Sequence, residues 1–340
     1  MKSKSILFFY TNYTSFVRTD FEILSSEYHV KKYQFKPVKG LFNTGIELIK
    51  QFAFLAIHIW KYDAGFIWFA DYHSLLPVLF TKITGKSSFV VIGGYEVCRI
   101  KDLDYGALGS KFRGFFCIKS MQWSTLNLTV SKYIDRKVKY IAPSSKRQLV
   151  PNCVDLIQPA NPVVKEKLVL TVGIIENQRS FFLKGIDVFI EVARNKPDFQ
   201  FIIIGLDRLE LAGLLTNLPV NITISGRLAH DELPAYYAKA MFYCQFSRSE
   251  SFGVAIAEAM LYGCIPIVTN EGGMPELVGE TGYIVRREPA EIIRLMSELA
   301  SDKPGLQNGG AKRIIGNFSR AKRGKILVSL ISKITIDKNN

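Results

Sequence analysis

The sequence predicts an α/β protein made of two doubly wound, Rossmann-like domains that face a cleft. Apolar, β-branched runs such as LVLTVG, FQFIIIG and CIPIVT alternate with helical segments along the chain. These runs are continuously apolar, which is typical of parallel strands that helices cover on both faces. A length of 340 residues with 48% hydrophobic residues suits two domains with sizeable cores.

The same rhythm predicts the order of elements and the domain boundary. The first half carries the strand-like segments SILFFY, HVKKYQF, AGFIWFAD, SSFVVIGG and NLTVS. In the second half, helices are predicted near 184–195, 209–217 and 231–239. The segment PNCVDLIQPANPVVK at 151–165 is rich in Pro and Asn and breaks the periodicity. We therefore predict domains at 1–155 and 165–310, followed by a basic C-terminal helix at 311–340 that crosses back to the first domain.

Basic residues are in excess and are unevenly distributed. The 44 Lys and Arg against 30 Asp and Glu give a formal net charge of +14. Segments 132–147 and 303–340 are the most basic, and each contains a single acid. This charge predicts an anionic partner, either a membrane surface, a phosphorylated substrate or nucleic acid, with a merely solvated basic face as the alternative. The spacing of an RNA-recognition sheet, a zinc finger or a basic zipper is absent, so we expect no nucleic acid partner.

Cysteine, histidine and apolar patterns limit the remaining classes. The five cysteines contain no C-x-x-C, and the four histidines form no H-E-x-x-H, so we predict no metal site and buried thiols in a reducing compartment. The apolar run near the N-terminus is too short for a signal sequence and is predicted as a strand. The apolar segment 41–62 is interrupted by Glu47, Lys50 and His58. We expect it to pack against the sheet, or in part to touch a membrane, rather than to span one.

The stretch SRSESFGVAIAEAM at 247–260 places two glutamates around a Ser-Phe-Gly turn. A strand is predicted to end at Phe246 and a helix to cover 254–262. The N-terminus of that helix offers free N–H groups and a positive dipole end, which suit a phosphate. Glu250 and Glu258 could approach one ligand from two directions, because carboxylates accept hydrogen bonds from sugar hydroxyls. The alternative is that Glu258 is only the exposed side of an amphipathic helix.

The run ESFGVAIAEAMLYGCIPIVTNEGGMPELV resembles the donor-site signature of retaining glycosyltransferases of family 4, which have the two-domain GT-B architecture. The motifs TVG, KG, IIIG, SGRL and LPAYYAKA follow in the family's order through most of the second half. In the first half the likeness rests on VIGGYEV, LTVS and VPNCVD. The resemblance implies an N-terminal acceptor-side domain and a C-terminal domain for a nucleotide-diphosphate sugar. It also implies a hexosyltransferase type of enzyme that retains the anomeric configuration and needs no metal or other cofactor.

The resemblance implies roles for three charged side chains. Glu250 would hold hydroxyls of the donor sugar, and Glu258 would hold the hydroxyls of the ribose. Lys184, in the sequence LKG, matches the family's lysine that neutralises the diphosphate. Charge stabilisation of this kind is the main contribution expected to catalysis.

Backbone groups and a base pocket follow from the same resemblance. The N–H groups of Phe252, Gly253 and Val254 would face the sugar and the diphosphate. Arg227 and Leu228, in the sequence SGRL, lie where the family builds the pocket for the nucleotide base.

Two positions depart from the family pattern. The family usually has an arginine directly after the glycine of VG, but this sequence has Ile174, so Arg179 is the candidate for that charge. The family's frequent active-site histidine in the first domain is absent, and VIGGYEV offers Glu96 as a candidate for a catalytic or acceptor role. The alternatives are that Arg179 is a solvated loop residue and that Glu96 is an ordinary loop acid.

Two further motifs lie in the first half of the chain. Thr14, Ser15 and Arg18 follow the first strand, so they are expected near the cleft, with helix capping as the alternative. Asp102 and Asp104 form a D-x-D, which ligates a divalent cation in metal-dependent glycosyltransferases of another fold. Here this motif follows the sequence RIK rather than a hydrophobic strand, which disfavours a metal role.

We therefore predict a retaining glycosyltransferase of surface polysaccharide or glycolipid synthesis. A catalytically degenerate protein that binds a nucleotide or glycan is one alternative, and an epimerase of similar build is another. The expected partners are a nucleotide sugar, a lipid-linked or growing-glycan acceptor, and an anionic membrane surface. We expect the protein in the cytoplasm, peripherally associated with the inner face of the membrane.

Overall fold

The computed structural model describes residues 4–38, 40–155, 164–301 and 307–336. Backbone contacts divide the described chain into two compact units. The first contains the chain up to Cys153 together with the helix that begins at Arg320, and the second spans Val154–Ser319. Part of the predicted boundary segment, 156–163, lies outside the described residues.

The first unit has one parallel sheet of six strands within its described residues. The strands are β1 (Ser5–Tyr10), β2 (His29–Gln34), β3 (Ala64–Trp68), β4 (Ser87–Ile92), β5 (Leu126–Thr129) and β6 (Arg147–Leu149). Their spatial order is β2-β1-β3-β4-β5-β6, and every neighbouring pair is parallel. The helices are α1 (Ser15–Ser25), α2 (Leu41–His58), α3 (Tyr72–Ile83), α4 (Lys111–Trp123), α5 (Lys132–Ile141) and α13 (Arg320–Ile336).

The burial of each strand agrees with its position in the sheet. Every residue of β3, β4 and β5 is buried, because helices cover both faces of the sheet at its centre. In β2 half-buried residues are interspersed with exposed ones, as expected for an edge strand. The continuously apolar pattern therefore marks the central strands best.

The helix α13 is anchored to the first unit by a buried ion pair. The Arg323 guanidinium donates from Nε and Nη2 to the two carboxylate oxygens of Asp20, at 2.6 Å each. Its Nη1 donates to the carbonyl oxygens of Val150 and Pro151. Arg320, at the start of the helix, lies 2.9 Å from a carboxylate oxygen of Glu22. The chain thus returns to the first unit at Arg320, after α12 (Gln307–Asn317) has packed in the second.

The second unit also has one parallel sheet of six strands within its described residues. The strands are β7 (Glu166–Ile175), β8 (Gln200–Leu206), β9 (Ile222–Ser225), β10 (Ala240–Gln245), β11 (Ile265–Thr269) and β12 (Tyr283–Val285), in the order β12-β11-β10-β7-β8-β9. Besides α12, the helices are α6 (Gln178–Lys184), α7 (Ile186–Arg194), α8 (Leu233–Lys239), α9 (Val254–Leu261), α10 (Met274–Val278) and α11 (Pro289–Ser301). The prediction of two doubly wound α/β domains is confirmed.

Two predicted helices differ from the structure. The helix predicted near 184–195 is broken at Gly185, whose φ of +74° ends α6 and begins α7. The helix predicted near 209–217 is wrong, since only a 3-10 turn forms at Ala212–Leu214. Asn217 there adopts a left-handed φ of +57°, and Pro219 follows, so the segment cannot continue as a helix.

The structure also bears on the expected buried thiols and on the expectation that no segment spans a membrane. None of the five cysteines forms a disulfide, and four of them are buried. Among the helices of the described residues, none has the length and apolar character needed to cross a bilayer.

Candidate functional site

The predicted donor-site residues lie at the switch point of the second sheet. From β7 the strand order runs through β8 and β9 on one side, and from β10 through β11 and β12 on the other. In open α/β sheets, ligands bind beyond the carboxyl ends of the strands at such a reversal. Lys184 lies in the segment that follows β7, and Glu250 in the loop that follows β10.

Gly185 allows these two segments to approach each other. Its φ is +74°, and a Cβ at this position would lie 2.0 Å from the carbonyl oxygen of Phe246. The backbone N–H of Arg248 donates to the carbonyl of Leu183 at 2.8 Å, which joins the same two segments. A side chain at position 185 would therefore separate the end of α6, which carries Lys184, from the loop that carries Glu250.

Lys184 and Glu250 form a direct ion pair. The Nζ of Lys184 donates to Oε2 of Glu250 at 2.7 Å, and both side chains are partly exposed. The Glu250 loop is held in place because its carbonyl accepts the Gly273 N–H at 2.7 Å. The structure thus brings together the two side chains that were assigned to the diphosphate and to the donor sugar.

The N-terminus of α9 follows this loop. Gly253 precedes the helix with a φ of +98°, and a Cβ there would lie 2.6 Å from Cδ1 of Ile256. The first N–H groups of a helix have no partner within the helix, so those at Gly253 and Val254 can bind an anion. The ring of Phe252 is buried and packs against Phe318 at 5.3 Å between centroids. Only the backbone of Phe252 can therefore serve a ligand.

Glu258 lies on α9 and is held by two side chains. Its Oε2 accepts from the hydroxyl of Tyr237 at 3.1 Å, and its Oε1 lies 2.9 Å from Nε2 of His230. Burial raises the pKa of Tyr237 well above its usual value, so the phenol stays protonated and remains a donor. The alternative that Glu258 is the exposed side of an amphipathic helix does not hold, because most of its carboxylate side chain is covered.

His230 and Tyr237 were not identified from the sequence. His230 follows the SGRL motif by two residues, and Tyr237 is in the LPAYYAKA motif, so both lie in segments of family resemblance. Nothing in the sequence pairs either residue with Glu258, because the contact depends on how α8 and α9 pack.

A cavity lies at the carboxyl ends of β7, β8 and β9. It has a volume of about 450 Å³, and its lining includes Glu176, Asp207, Arg208 and Arg227. Arg227 pairs with Glu176 at 2.5 Å, and both side chains are largely exposed. Leu228, the other residue expected at the base pocket, is half-buried and packs against the hydrophobic core instead of lining this cavity.

Gly205 and Gly173 connect this cavity with Lys184. A Cβ on Gly205, which lines the cavity, would lie 1.9 Å from the carbonyl oxygen of Gly173. A Cβ on Gly173 would lie 3.8 Å from Cδ of Lys184. The cavity, Lys184 and Glu250 therefore form one continuous edge of the sheet.

Arg179 lies in the first turn of α6, five residues before Lys184, and is exposed. Ile174, which stands at the position of the family's arginine, is also exposed at the end of β7. The two residues therefore belong to the same edge of the second unit as Lys184.

Glu96 lies in the first unit and is only 1% exposed. Its carboxylate accepts the N–H groups of Gly93 at 2.8 Å, Gly94 at 2.7 Å and Ala70 at 3.4 Å. Burial raises the pKa of Glu96 to about 7, although these N–H groups lower it. The carboxylate thus joins the segments that follow β3 and β4, and it faces backbone rather than solvent.

The remaining candidates lie at helix starts and in a short turn. Thr14 occupies the N-cap position of α1 without a side-chain cap bond, and Ser15 is its first residue. Arg18 lies 3.9 Å from Glu22 on the same helix. Asp102 and Asp104 belong to a 3-10 turn and its left-handed end, in the connection between β4 and α4.

The fold is that of GT-B glycosyltransferases. Sucrose-phosphate synthase from Thermosynechococcus elongatus superimposes with a TM-score of 0.80 at 16% identity, covering 98% of this chain and 100% of that chain. Anabaena HepE in complex with UDP and glucose superimposes with a TM-score of 0.74 at 14% identity, covering 96% and 99%. At these identities the likeness shows the fold alone.

Residues 155–315 match the family described as glycosyl transferases group 1. This match lies within the second unit of the chain. An uncharacterised 41.2 kDa protein in the cps region of Klebsiella pneumoniae is 32% identical over 142 residues, which is 40% of this chain and 38% of that protein. Sulfoquinovosyl transferase SQD2 of Arabidopsis thaliana is 28% identical over 175 residues, 50% of this chain and 32% of that protein. The chain thus matches about a third of the length of these relatives.

Proposed function

We propose that the protein is a retaining glycosyltransferase that moves a hexosyl group from a nucleotide-diphosphate sugar to an acceptor hydroxyl. The observation that carries this proposal is the Lys184–Glu250 ion pair of 2.7 Å at the sheet switch point, directly before the N-terminus of α9. A cation, a carboxylate and unpaired N–H groups are the donors and acceptors that a sugar diphosphate requires.

The proposed roles follow the order of groups along the donor. The base occupies the cavity beside Arg227, and the ribose hydroxyls donate to Glu258. The diphosphate lies at Lys184 and at the N–H groups of Gly253 and Val254, and Glu250 binds the sugar hydroxyls. HepE, which shares this fold, has been crystallised in complex with UDP and glucose, and this supports a nucleoside diphosphate as part of the donor.

The proposed chemistry forms a bond between the acceptor oxygen and the anomeric carbon on the face that the diphosphate leaves. The bond between the anomeric carbon and the phosphate oxygen breaks, and its electron pair stays on the diphosphate. The acceptor's proton passes to that diphosphate or to solvent. Lys184 and the start of α9, with Arg179 as a further candidate, stabilise the growing charge, and no metal cofactor is required.

The proposed acceptor is a lipid-linked or growing glycan at an anionic membrane surface on the cytoplasmic side. The net charge of +14 supports such a surface. The relatives support a glycan or glycolipid product, because their names refer to a cps region and to sulfoquinovosyl transfer.

The test combines donor binding with turnover. A thermal-shift screen against UDP, GDP, ADP and CMP sugars should give one donor that raises the unfolding temperature, since a ligand that binds the folded state stabilises it. That donor should then be hydrolysed slowly without acceptor and consumed faster with a lipid-linked glycan.

A degenerate binding protein is the alternative, and the exposed Ile174 at the family's arginine position favours it. A stabilising donor that is never hydrolysed or transferred would support this alternative. Epimerised nucleotide sugar formed without an acceptor would contradict both.

A further inference from the structure

Exposed apolar side chains are concentrated on three helices of the first unit. Among the described residues, eighteen large hydrophobic side chains are exposed, and nine of them lie on α2, α3, α4 and the single turn that follows α2. Scattered exposed hydrophobic residues are normal, but a contiguous group marks an interaction surface.

The helix α2 carries an apolar face toward solvent as well as toward the core. Phe42, Ile46, Ile49 and Ile57 are spaced so that they share one side of the helix, and Trp60 continues that side in the next turn. Phe42 is 82% exposed and Trp60 is 69% exposed. At 1.5 Å per residue this side is about 27 Å long. A surface helix usually presents polar residues there, so a further apolar contact is expected.

The neighbouring helices continue this surface. The helix α2 packs against α3, and α3 packs against α4. The ring of Phe52 contacts Phe80 at 5.3 Å between centroids, which joins α2 to α3. Ile83 at the end of α3 is exposed, as are Phe112 and Phe115 on α4. We call this surface the α2–α4 face.

The α2–α4 face is cationic as well as apolar. Lys50, Lys61, Lys82 and Lys111 are exposed on or directly beside its helices. The single acid in the three helices, Glu47, is buried and accepts from Lys50 at 2.7 Å. A partner of this face must therefore accept apolar side chains and be negatively charged.

We propose that the α2–α4 face docks into the interfacial region of an anionic bilayer. Apolar and aromatic side chains enter the boundary between headgroups and acyl chains, while lysines beside them bind anionic headgroups. A second copy of the chain would fit poorly, because it would bring lysines against lysines. The inference deepens the proposed use of a lipid-linked acceptor, although docking itself is measured without sugar transfer.

The topology also selects between the two basic segments of the sequence. The connections through α3, α4 and α5 all run in one direction across the sheet, so right-handed crossovers place these helices on one face. Exposed basic residues of α5, among them Arg136 and Lys137, can therefore add to the charge of the α2–α4 face. The C-terminal α13 packs against α1, whose connection runs in the opposite direction, so α13 lies on the other face of the sheet.

The first experiment compares two variants of the full chain by flotation with vesicles of equal phosphatidylglycerol and phosphatidylcholine at low salt. Ile49→Glu and Val220→Glu each replace one exposed apolar side chain by an acid, so their net charges match. We expect Ile49→Glu to weaken partitioning at least tenfold and Val220→Glu to change it less than twofold. The neutral pair Phe42→Ser with Ile49→Ser should also weaken it, which separates insertion from charge.

A second readout follows Trp60 directly. Trp68 is buried and Trp123 is partly buried, so Trp60 is the exposed indole. Vesicles should shift the fluorescence emission to shorter wavelength, and Trp60→Phe should abolish most of that shift. Reversing charge with Arg136→Glu and Lys137→Glu should reduce binding at low salt. These two residues supply electrostatic attraction to the anionic headgroups, and salt screens this attraction.

Several outcomes would overturn the proposal. Docking by the α2–α4 face would be contradicted if the wild-type protein fails to bind phosphatidylglycerol vesicles, if Ile49→Glu floats like the wild type, or if both acid variants lose binding equally. A wild-type dimer that Ile49→Glu dissociates without vesicles would instead assign the face to a second copy. Far-UV circular dichroism and a cooperative thermal unfolding transition verify, without any donor, that each variant is folded. A protein that floats but never uses a donor would leave docking intact and contradict the proposed transferase.

Discussion

Two glutamates only eight positions apart have different environments, and this difference separates their proposed roles. Glu250 pairs with a lysine in a loop, whereas Glu258 accepts from Tyr237 and lies next to His230 on a helix. A carboxylate already held by a tyrosine hydroxyl and a histidine ring suits a permanent contact with ribose. A carboxylate paired with Lys184 suits a contact that changes as charge moves to the diphosphate.

We predict that Glu258→Ala mainly weakens donor binding, whereas Glu250→Ala mainly lowers turnover. The contact of Glu250 with the sugar is expected to strengthen as the glycosidic bond breaks, so its loss should appear in kcat. Donor affinity by calorimetry and steady-state rates distinguish the two effects. Wild-type affinity and turnover in both variants would contradict the assignment.

For Lys184→Ala, we predict a loss of kcat on the order of 100-fold, the scale of removing one preorganised group that stabilises transition-state charge. Lys239→Ala is the matched control, since this exposed lysine of the same unit lies 3.9 Å from Glu166 and away from the proposed site. Steady-state transfer rates of both variants give the comparison. A loss of less than about threefold for Lys184→Ala would place the lysine away from the diphosphate.

At the scale of elements, the carboxylate of Glu96 joins two loops of the first sheet. The sequence suggested a catalytic or acceptor role for this residue, and the structure places it against the backbone of the segments after β3 and β4. A buried carboxyl that titrates near neutrality makes the stability of these loops depend on pH.

The predicted pH dependence follows from the direction of this shift. Burial raises the pKa of Glu96 from 4.5 to about 7, so the folded chain keeps a proton that the unfolded chain releases in this window. The resulting stabilisation is complete below about pH 4.5 and is lost as the pH rises through about 7. The free energy of unfolding of the wild type minus that of Glu96→Gln should therefore fall by about 2 to 3 kcal/mol between pH 5 and pH 8.

Tryptophan fluorescence measures this difference during urea unfolding, because all three tryptophans lie in the first unit. Glu27→Gln, at an exposed position of the same unit, is the control and should show no such trend. A difference that stays constant with pH would mean that Glu96 is ionised throughout the range.

At the scale of the whole molecule, some basic side chains bind groups within the protein and others face solvent. Arg313 donates to the carbonyls of Leu277 and Glu276, and Arg323 is buried against Asp20. These C-terminal arginines bind the chain to itself. The exposed basic residues of α5 and the α2–α4 face remain for an anionic surface.

We predict that sugar transfer by the whole protein persists in EDTA. Lys184 and the N-terminus of α9 already supply positive charge at the proposed diphosphate position, so a divalent cation is not needed to neutralise it. The measurement is the transfer rate with and without chelator. Loss of activity that Mn²⁺ restores would contradict this prediction and direct attention to Asp102 and Asp104.

The sequence by itself determined the two α/β domains and the placement of Lys184, Glu250 and Glu258 after particular strands. Continuous apolar runs of strand length are typical of parallel strands covered on both faces, and the loops that follow such strands lie at one edge of the sheet. That argument needs only the local pattern of residues and the order of the strands along the chain, and the sequence contains both.

Tertiary structure alone decided which side chains meet. The contact of His230 and Tyr237 with Glu258, the burial of Glu96 and the internal use of Arg323 depend on packing between segments 21 to 303 residues apart. The break at Gly185 likewise arises from the close approach of the Phe246 carbonyl. The outward apolar side of α2 also depends on packing. Periodicity shows that a helix has apolar faces, but only the packed neighbours determine which of two such faces is covered.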